Sequence, residues 1–287
     1  MIRSIRFLAA SAVSALVLST ATDPIRAESR LAQRSDAKIE VLVDGSGPLV
    51  LMIPSLGRGA EDFDDLSRAV TAAGYRVARL QPRGVGRSSG AMEKLTMRDL
   101  ADDAAAGIAA AGGGPVVIIG HAFGQRVARM VAAAHPGLVQ AVIMLAAGGK
   151  APQVPAASAA LAATFDESLS REDHLMAVGT AFFATGNDPA AWRGGWYPAT
   201  MKMQIAANRT SVDDWWSAGG TVPILVIQGL QDQVATPENG RMLKAEAPER
   251  VELIEIDGAA HALLPERPTE IARAVTTFLG KVTWASR

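Results

Sequence analysis

Three positions far apart in the chain carry residue types that do proton and acyl chemistry when a fold brings them together. His261 lies in "EIDGAAHALLPERP", just after an apolar run, and Asp232 lies in "VIQGLQDQVATPE", at the end of another. A carboxylate beside one imidazole nitrogen orients the ring and raises the basicity of the other, so such a pair can act as a general base. The third position is in "VVIIGHAFGQRVARMVAAAHP", where an apolar run ends in Gly120-His121-Ala122-Phe123-Gly124 before an amphipathic helical pattern. The frame Gly-x-nucleophile-x-Gly between a strand and a helix holds a reactive side chain on a tight turn, with the next backbone N–H completing an oxyanion hole. Ala122 has no oxygen and cannot attack, whereas the Phe123 N–H is indifferent to that side chain.

Positioning these residues requires a sheet with helices around it. Short apolar runs alternate with helical patterns from residue 38 onward, which reads as an α/β protein with a mostly parallel sheet and helices on both faces. "KIEVLVDGSGPLVLMIPS" gives one or two opening strands, "YRVARLQP" the next, and "PVVIIG" a strand buried on both faces. "AEDFDDLSRAVTAAG" and Thr96 to Ala111 are helices, the latter opening with Thr96 and Asp99 in the spacing of a capping box. "VQAVIMLAAG", "PILVIQG" and "VELIEID" continue the sheet, and a helix from Glu266 to about Leu279 ends it. Between residues 150 and 220 the strand signals vanish. This stretch is too long for a simple loop and carries Trp192, Trp196, Trp215 and Trp216 with Phe182, Phe183 and Tyr197. It reads as a helical lid whose aromatics, Phe182, Trp192, Trp196 and Tyr197 foremost, line an apolar pocket.

The ordered set of loops resembles the α/β-hydrolase superfamily, in its lidded esterase, lactonase and haloalkane-dehalogenase-like branch. "MIPSLGRGAEDF" matches the first oxyanion loop, with Pro54-Ser55 where the family has His-Gly and Leu56 as the backbone donor. "LQPRGVGRSSG" matches the Arg-Gly-x-Gly-x-Ser loop, where Arg83 and Arg87 read as structural partners. "GHAFG" matches the nucleophile elbow, with Ala122 at the substituted position and Phe123 as the second donor. Gln125 departs from the small residue often found there. Asp232 and His261 fall where the family keeps its acid and base, and in the family's order. The resemblance implies a core over 38–149 and 221–281 with the lid over 150–220.

The remaining residues narrow the class. With 49% apolar residues and a net charge near −1, the chain can bury a full core and carries no bulk basic signal for nucleic acid. It has no cysteine, which excludes disulfides and thiolate chemistry. No His, Asp or Glu set has metal-ligand spacing, and no dinucleotide or phosphate loop is present, so neither metal nor cofactor is expected. His121 reads as a packing or polar residue, His135 as a helix-end cation and His174 as solvated. Residues 1–21, two positive charges followed by a short apolar core, read as a secretory signal peptide, with cleavage as late as 27, rather than a lasting membrane anchor. The expected location is therefore periplasmic or extracellular. Three functions remain open: a dyad enzyme acting on a small apolar ester- or carbonyl-containing compound without a serine nucleophile, a non-catalytic small-molecule binder, and a serine esterase or lactonase carrying a Ser→Ala change. Ser55 and Ser88 are alternative candidate serines in these loops. Oligomeric state leaves no mark in the sequence.

Overall fold

The computed structural model describes residues 27–284, and the expected signal peptide lies outside them. Among the described residues one sheet is built from β1 (Glu28–Gln33), β2 (Ala37–Asp44), β3 (Leu49–Ile53), β4 (Arg76–Leu80), β5 (Ser89–Gly90), β6 (Val116–His121), β7 (Val139–Leu145), β8 (Ile224–Gly229) and β9 (Val251–Ile256). Their order is β1-β2-β4-β3-β6-β7-β8-β9, with β5 paired to β2. Neighbours from β4 to β9 are parallel, and β2 runs antiparallel to β1, β4 and β5.

Alternating side chains divide the interior into two cores. Leu49, Leu51 and Ile53 of β3 enter one cluster with Val116 and Ile118 of β6, while Val50, Met52, Val117 and Ile119 enter the other. This is the period-two consequence of strands buried on both faces. Helices α1 (Asp64–Ala72), α2 (Met97–Ala110) and α3 (Phe123–Ala134) alternate with the first strands. After β7 come α4 (Pro155–Ala163), α5 (Arg171–Phe182) and α6 (Pro198–Ala207); α7 (Glu238–Glu246), α8 (Leu263–Glu266) and α9 (Pro268–Leu279) complete the chain. Leu100 and Ile108 of α2 and Val127 and Val131 of α3 cover one face; Leu66 and Val70 of α1 and Ile271, Val275 and Phe278 of α9 cover the other. The capping box at α2 forms as its spacing suggests: the Asp99 N–H donates to Thr96 Oγ1 at 3.3 Å, and the Thr96 N–H to the Asp99 carboxylate at 2.8 Å.

Two boundaries differ from the sequence reading. The sheet begins at Glu28 rather than at 38, because β1 pairs with β2 along its length. That edge strand buries only Ala32, so its sequence offers no apolar run to read. At the other boundary, Trp215, Trp216 and Ala218 pack into the main core, so the stretch before 220 belongs to the core and not to the helical insertion. The Trp215 and Trp216 rings lie against the Arg129 guanidinium of α3, 4.6 and 4.8 Å from it.

The loop after β4 is fixed from within. Arg83 is buried and donates from Nε and Nη2 to the two Asp103 oxygens at 2.7 and 2.9 Å, and also to Asp36 at 2.9 Å. Such forked pairing holds the guanidinium pKa above its ordinary value. Arg87, in contrast, is exposed and reaches Ser29. Both are structural partners, as their sequence context suggests.

Candidate active site

The chain moves from β3 to β4 on one side and then crosses to β6 on the other, so the strand order reverses between β3 and β6. A crevice opens beyond the carboxyl ends of strands at such a switch point. Leu56 follows β3 and Ala122 follows β6, which puts the two expected oxyanion loops on either side of that crevice.

Ala122 ends β6 and caps α3 with φ 48° and ψ −109°. This is a backbone region that costs a non-glycine residue about 1–3 kcal/mol. Crowding enforces it. A Cβ on Gly124 would sit 2.1 Å from the Ile53 carbonyl oxygen, and one on Gly120 would sit 2.4 Å from the Gln125 Cα. Gly124 therefore lets the first turn of α3 press against the end of β3, and Gly120 lets that turn fold back over the end of β6. Phe123 opens α3, where an N–H has no acceptor within the helix, and the Leu56 N–H likewise makes no hydrogen bond among the described residues. Leu56, Ala122, Phe123 and His261 line one cavity of about 250 Å³.

Asp232 and His261 meet as expected. His261 Nδ1 lies 2.9 Å from Asp232 Oδ2, and both residues are buried. The other Asp232 oxygen accepts from the Val234 and Ala235 N–H groups at 2.9 and 2.8 Å. His261 Nε2 makes no hydrogen bond among the described residues, and His261 lines the cavity. A ring held in this way can take a proton at Nε2 while Asp232 fixes Nδ1–H.

The supports of this pair were not legible beforehand. His121 is fully buried, and its Nε2 donates to the His261 carbonyl oxygen at 2.8 Å. Burial first, and then the nearby His261, push the His121 pKa down to about 3. Glu266 accepts from the Ala260 and Ala184 N–H groups at 2.8 and 2.7 Å, tying the His261 loop to the end of α5. The Ala262 N–H donates to the Phe182 carbonyl at 2.8 Å. Gln204 of α6 accepts from the Gly57 N–H at 2.7 Å and so braces the Leu56 loop. Each joins segments far apart in sequence, which no local pattern signals.

The aromatics divide. Phe182, Trp192 and Trp196 line the cavity. Tyr197 does not: its N–H donates to the Gly57 carbonyl at 2.9 Å and its hydroxyl to Glu61 at 3.3 Å. At the start of α6 it faces the loop rather than the pocket, a direction that composition alone cannot give. His174 is half-buried against Trp196, with Nε2 3.0 Å from the Thr164 carbonyl, rather than solvated. His135 caps the end of α3 and reaches Asp102 at 2.6 Å. Ser88 is consumed by the Gln81 carbonyl and the Glu40 N–H at 2.7 and 2.8 Å, whereas Ser55 lines the cavity. Among the described residues no three metal-ligating side chains converge.

A doubly flanked parallel sheet with this strand–turn–helix at its switch point defines the α/β-hydrolase fold. The chain belongs to the alpha/beta hydrolase fold family, whose model matches residues 48–268. It is similar in fold to an esterase from Exiguobacterium antarcticum, with TM-score 0.74 and 19% identity over 88% of this chain and 98% of that one. It is likewise similar to E-2-(acetamidomethylene)succinate hydrolase, with TM-score 0.75 and 19% identity over 88% and 99% of the two chains. In sequence it is 26% identical over 275 residues to the polyketide synthase ThaQ of Burkholderia thailandensis; the match takes in 87% of this chain but only 12% of that much longer relative.

The depressed His121 pKa sets a pH dependence of stability. In the unfolded chain this ring takes a proton near its ordinary pKa of 6.5, whereas the folded state refuses it until about 3. Folding is therefore penalised as pH falls from 6.5 toward 3, by about 1.4 kcal/mol per pH unit, and not at all above 6.5. His121→Gln is expected to be the less stable protein at neutral pH, and urea denaturation at pH 7, 5.5 and 4.5 should show the gap to the original protein narrowing by about 2 kcal/mol or more. A constant gap would show that the fold leaves the proton affinity of His121 unchanged.

Proposed function

We propose that this α/β-hydrolase-family protein acts on a small ester- or carbonyl-containing compound by general-base chemistry, with His261 as the base, Asp232 as its orienting acid, and no nucleophilic serine at the elbow. The observation that carries this reading is the buried His261–Asp232 hydrogen bond, with the free Nε2 in the same cavity as Ala122 and the Leu56 and Phe123 N–H groups. For an ester, His261 Nε2 removes a proton from water as its oxygen bonds to the carbonyl carbon. The carbonyl oxygen becomes an oxyanion held by the two backbone N–H groups. The tetrahedral adduct then collapses, the C–O bond to the alcohol breaks, and the imidazolium returns its proton to the leaving oxygen. The Ala122 methyl leaves room where a hydroxyl would stand. For a carbonyl compound the same base removes an α-proton, and the same donors hold the enolate.

General-base assistance is worth about 10²–10⁴ and an oxyanion donor about 10²–10³, so the route is slower than acyl-enzyme chemistry but far from inert. The insertion over α4 to α6 acts as the lid, because Phe182, Trp192 and Trp196 form the apolar side of the cavity. A purely binding role is the competing reading, favoured by the same Ala122.

Assays on ester and lactone panels separate the two. His261→Ala is expected to lower kcat by about 100-fold or more, and Asp232→Asn to follow it. Turnover unaffected by His261→Ala would exclude the dyad, and an inert protein that still binds the panel compounds would leave the binding role. We further propose export, on the charge and apolar pattern of residues 1–21. Amino-terminal sequencing of protein from a secreting host should begin near Thr22 or Glu28; an uncut Met1 in the exported fraction would contradict cleavage.

A further inference from the structure

The cavity wall holds two arginines with opposite fates. Arg58 is fully engaged: it donates to Asp62 from Nε at 2.8 Å and to the Gly194 carbonyl at 2.7 Å, and it lies over the Trp192 and Trp196 rings at 4.7 and 4.5 Å. Arg126, one turn into α3, has no ion pair and no hydrogen bond among the described residues; its nearest aromatic neighbour is Trp215, 5.6 Å away. No aspartate or glutamate lines the cavity. Arg126 is half-buried; directly behind it, Arg129 is fully buried without a carboxylate, its charge met by the Trp216 and Gly148 carbonyls at 3.2 and 2.7 Å and by two indole rings.

An uncompensated guanidinium in a mostly apolar wall is costly to keep. Burial pushes the pKa of Arg126 and, with the help of Arg126 itself, of Arg129 downward, which registers that cost. Arg83 is answered by Asp103 and Arg129 by two backbone carbonyls, whereas Arg126 has neither kind of partner among the described residues and lies on the cavity wall, where an anion could supply one.

We infer that Arg126 is a substrate-anion anchor, so that the compound accepted at the elbow carries a carboxylate a few carbons from its reacting carbonyl. This rests on the reading of the cavity as the substrate site. Ala122 caps α3 and Arg126 lies in its first turn, and both line the same cavity. An Arg–carboxylate pair is bidentate and charge-assisted, and in a wall free of acids it has no internal competitor. Gln125 and Asn208 line the same cavity, beside the apolar aromatic side. The substrate class is thus a half-ester, lactone or ketone of a short aliphatic acid, with its carboxylate on Arg126 and its carbonyl on the Leu56 and Phe123 N–H groups.

Ligands that cannot be hydrolysed test the anchor without turnover: linear methyl ketones bearing a terminal carboxylate, from levulinate upward in length, each against its neutral amide, by titration calorimetry. The acid is expected to bind at least about tenfold more tightly than its amide, with the preference falling as salt is raised. Arg126→Met is expected to abolish the preference and leave amide binding in place, and Arg126→Lys to restore part of it. Removing one of two adjacent unpaired cations should leave the melting temperature of Arg126→Met equal or higher; if that variant does not fold, Arg126→Lys and the salt series carry the test. Equal binding of acid and amide by the original protein, or an unchanged preference in Arg126→Met, would overturn the anchor while leaving the cavity as a carbonyl site. Failure to bind either ligand of any length would overturn both.

Discussion

The site depends on one close approach: the first turn of α3 against the carboxyl end of β3. Glycine at 124 permits it, since a Cβ there would collide with the Ile53 carbonyl, and glycine at 120 permits the turn from β6 into α3, where a Cβ would meet the Gln125 backbone. Ala122 stands at φ 48° at this contact, and Phe123, as the first residue of α3, has an N–H with no acceptor within the helix. The same contact brings the β3 loop alongside, where Leu56 lines the cavity with Ala122. The dyad then needs only the loops after β8 and β9, which parallel pairing places along the same edge of the sheet. Strain at residue 122 is retained although the side chain there is a methyl group. The backbone geometry serves the N–H groups, and those are useful to a transition state whether the attacking oxygen belongs to a serine or to water.

Electrostatics divide the charged residues near the site into those spent and those held ready. Arg58 and Arg83 are saturated by carboxylates, and Asp232 by backbone N–H groups and His261. His121 is kept neutral by burial and serves as a donor to the His261 backbone. His261 Nε2 and the Arg126 guanidinium are left without partners, one a base and the other a cation, on the wall of a single cavity. An apolar side made by Phe182, Trp192 and Trp196 faces them. That combination suits an amphiphilic small molecule with one carbonyl and one negative charge better than a wholly apolar one.

Much of the framework was legible because it rests on local patterns. The apolar runs of β3, β6, β7 and β8, the Thr96–Asp99 capping box and the Gly120–Gly124 frame each depend on residues within a few positions of one another. β1 was not, because an edge strand with a single buried side chain carries no apolar signal. Tyr197 was assigned to the pocket and Trp215 and Trp216 to the insertion because aromatic content identifies a region but not the direction of a ring. The braces Gln204, Glu266 and His121 act across 75 to 150 residues of chain or through a single backbone carbonyl, so their sequence neighbours do not betray them. Arg126 was visible as an arginine; that no acid faces it is a property of the folded wall alone.

The central claim is that the elbow, the oxyanion donors and the dyad stand assembled around a position lacking only its oxygen. A fluorophosphonate probe reads this directly, since it phosphonylates a serine only where a base and an oxyanion hole act on it together. Mass spectrometry should find the original protein unlabelled, Ala122→Ser labelled at residue 122, and the double variant Ala122→Ser, His261→Ala unlabelled. A folded Ala122→Ser that stays unlabelled, or an original protein labelled at Ser55, would contradict it.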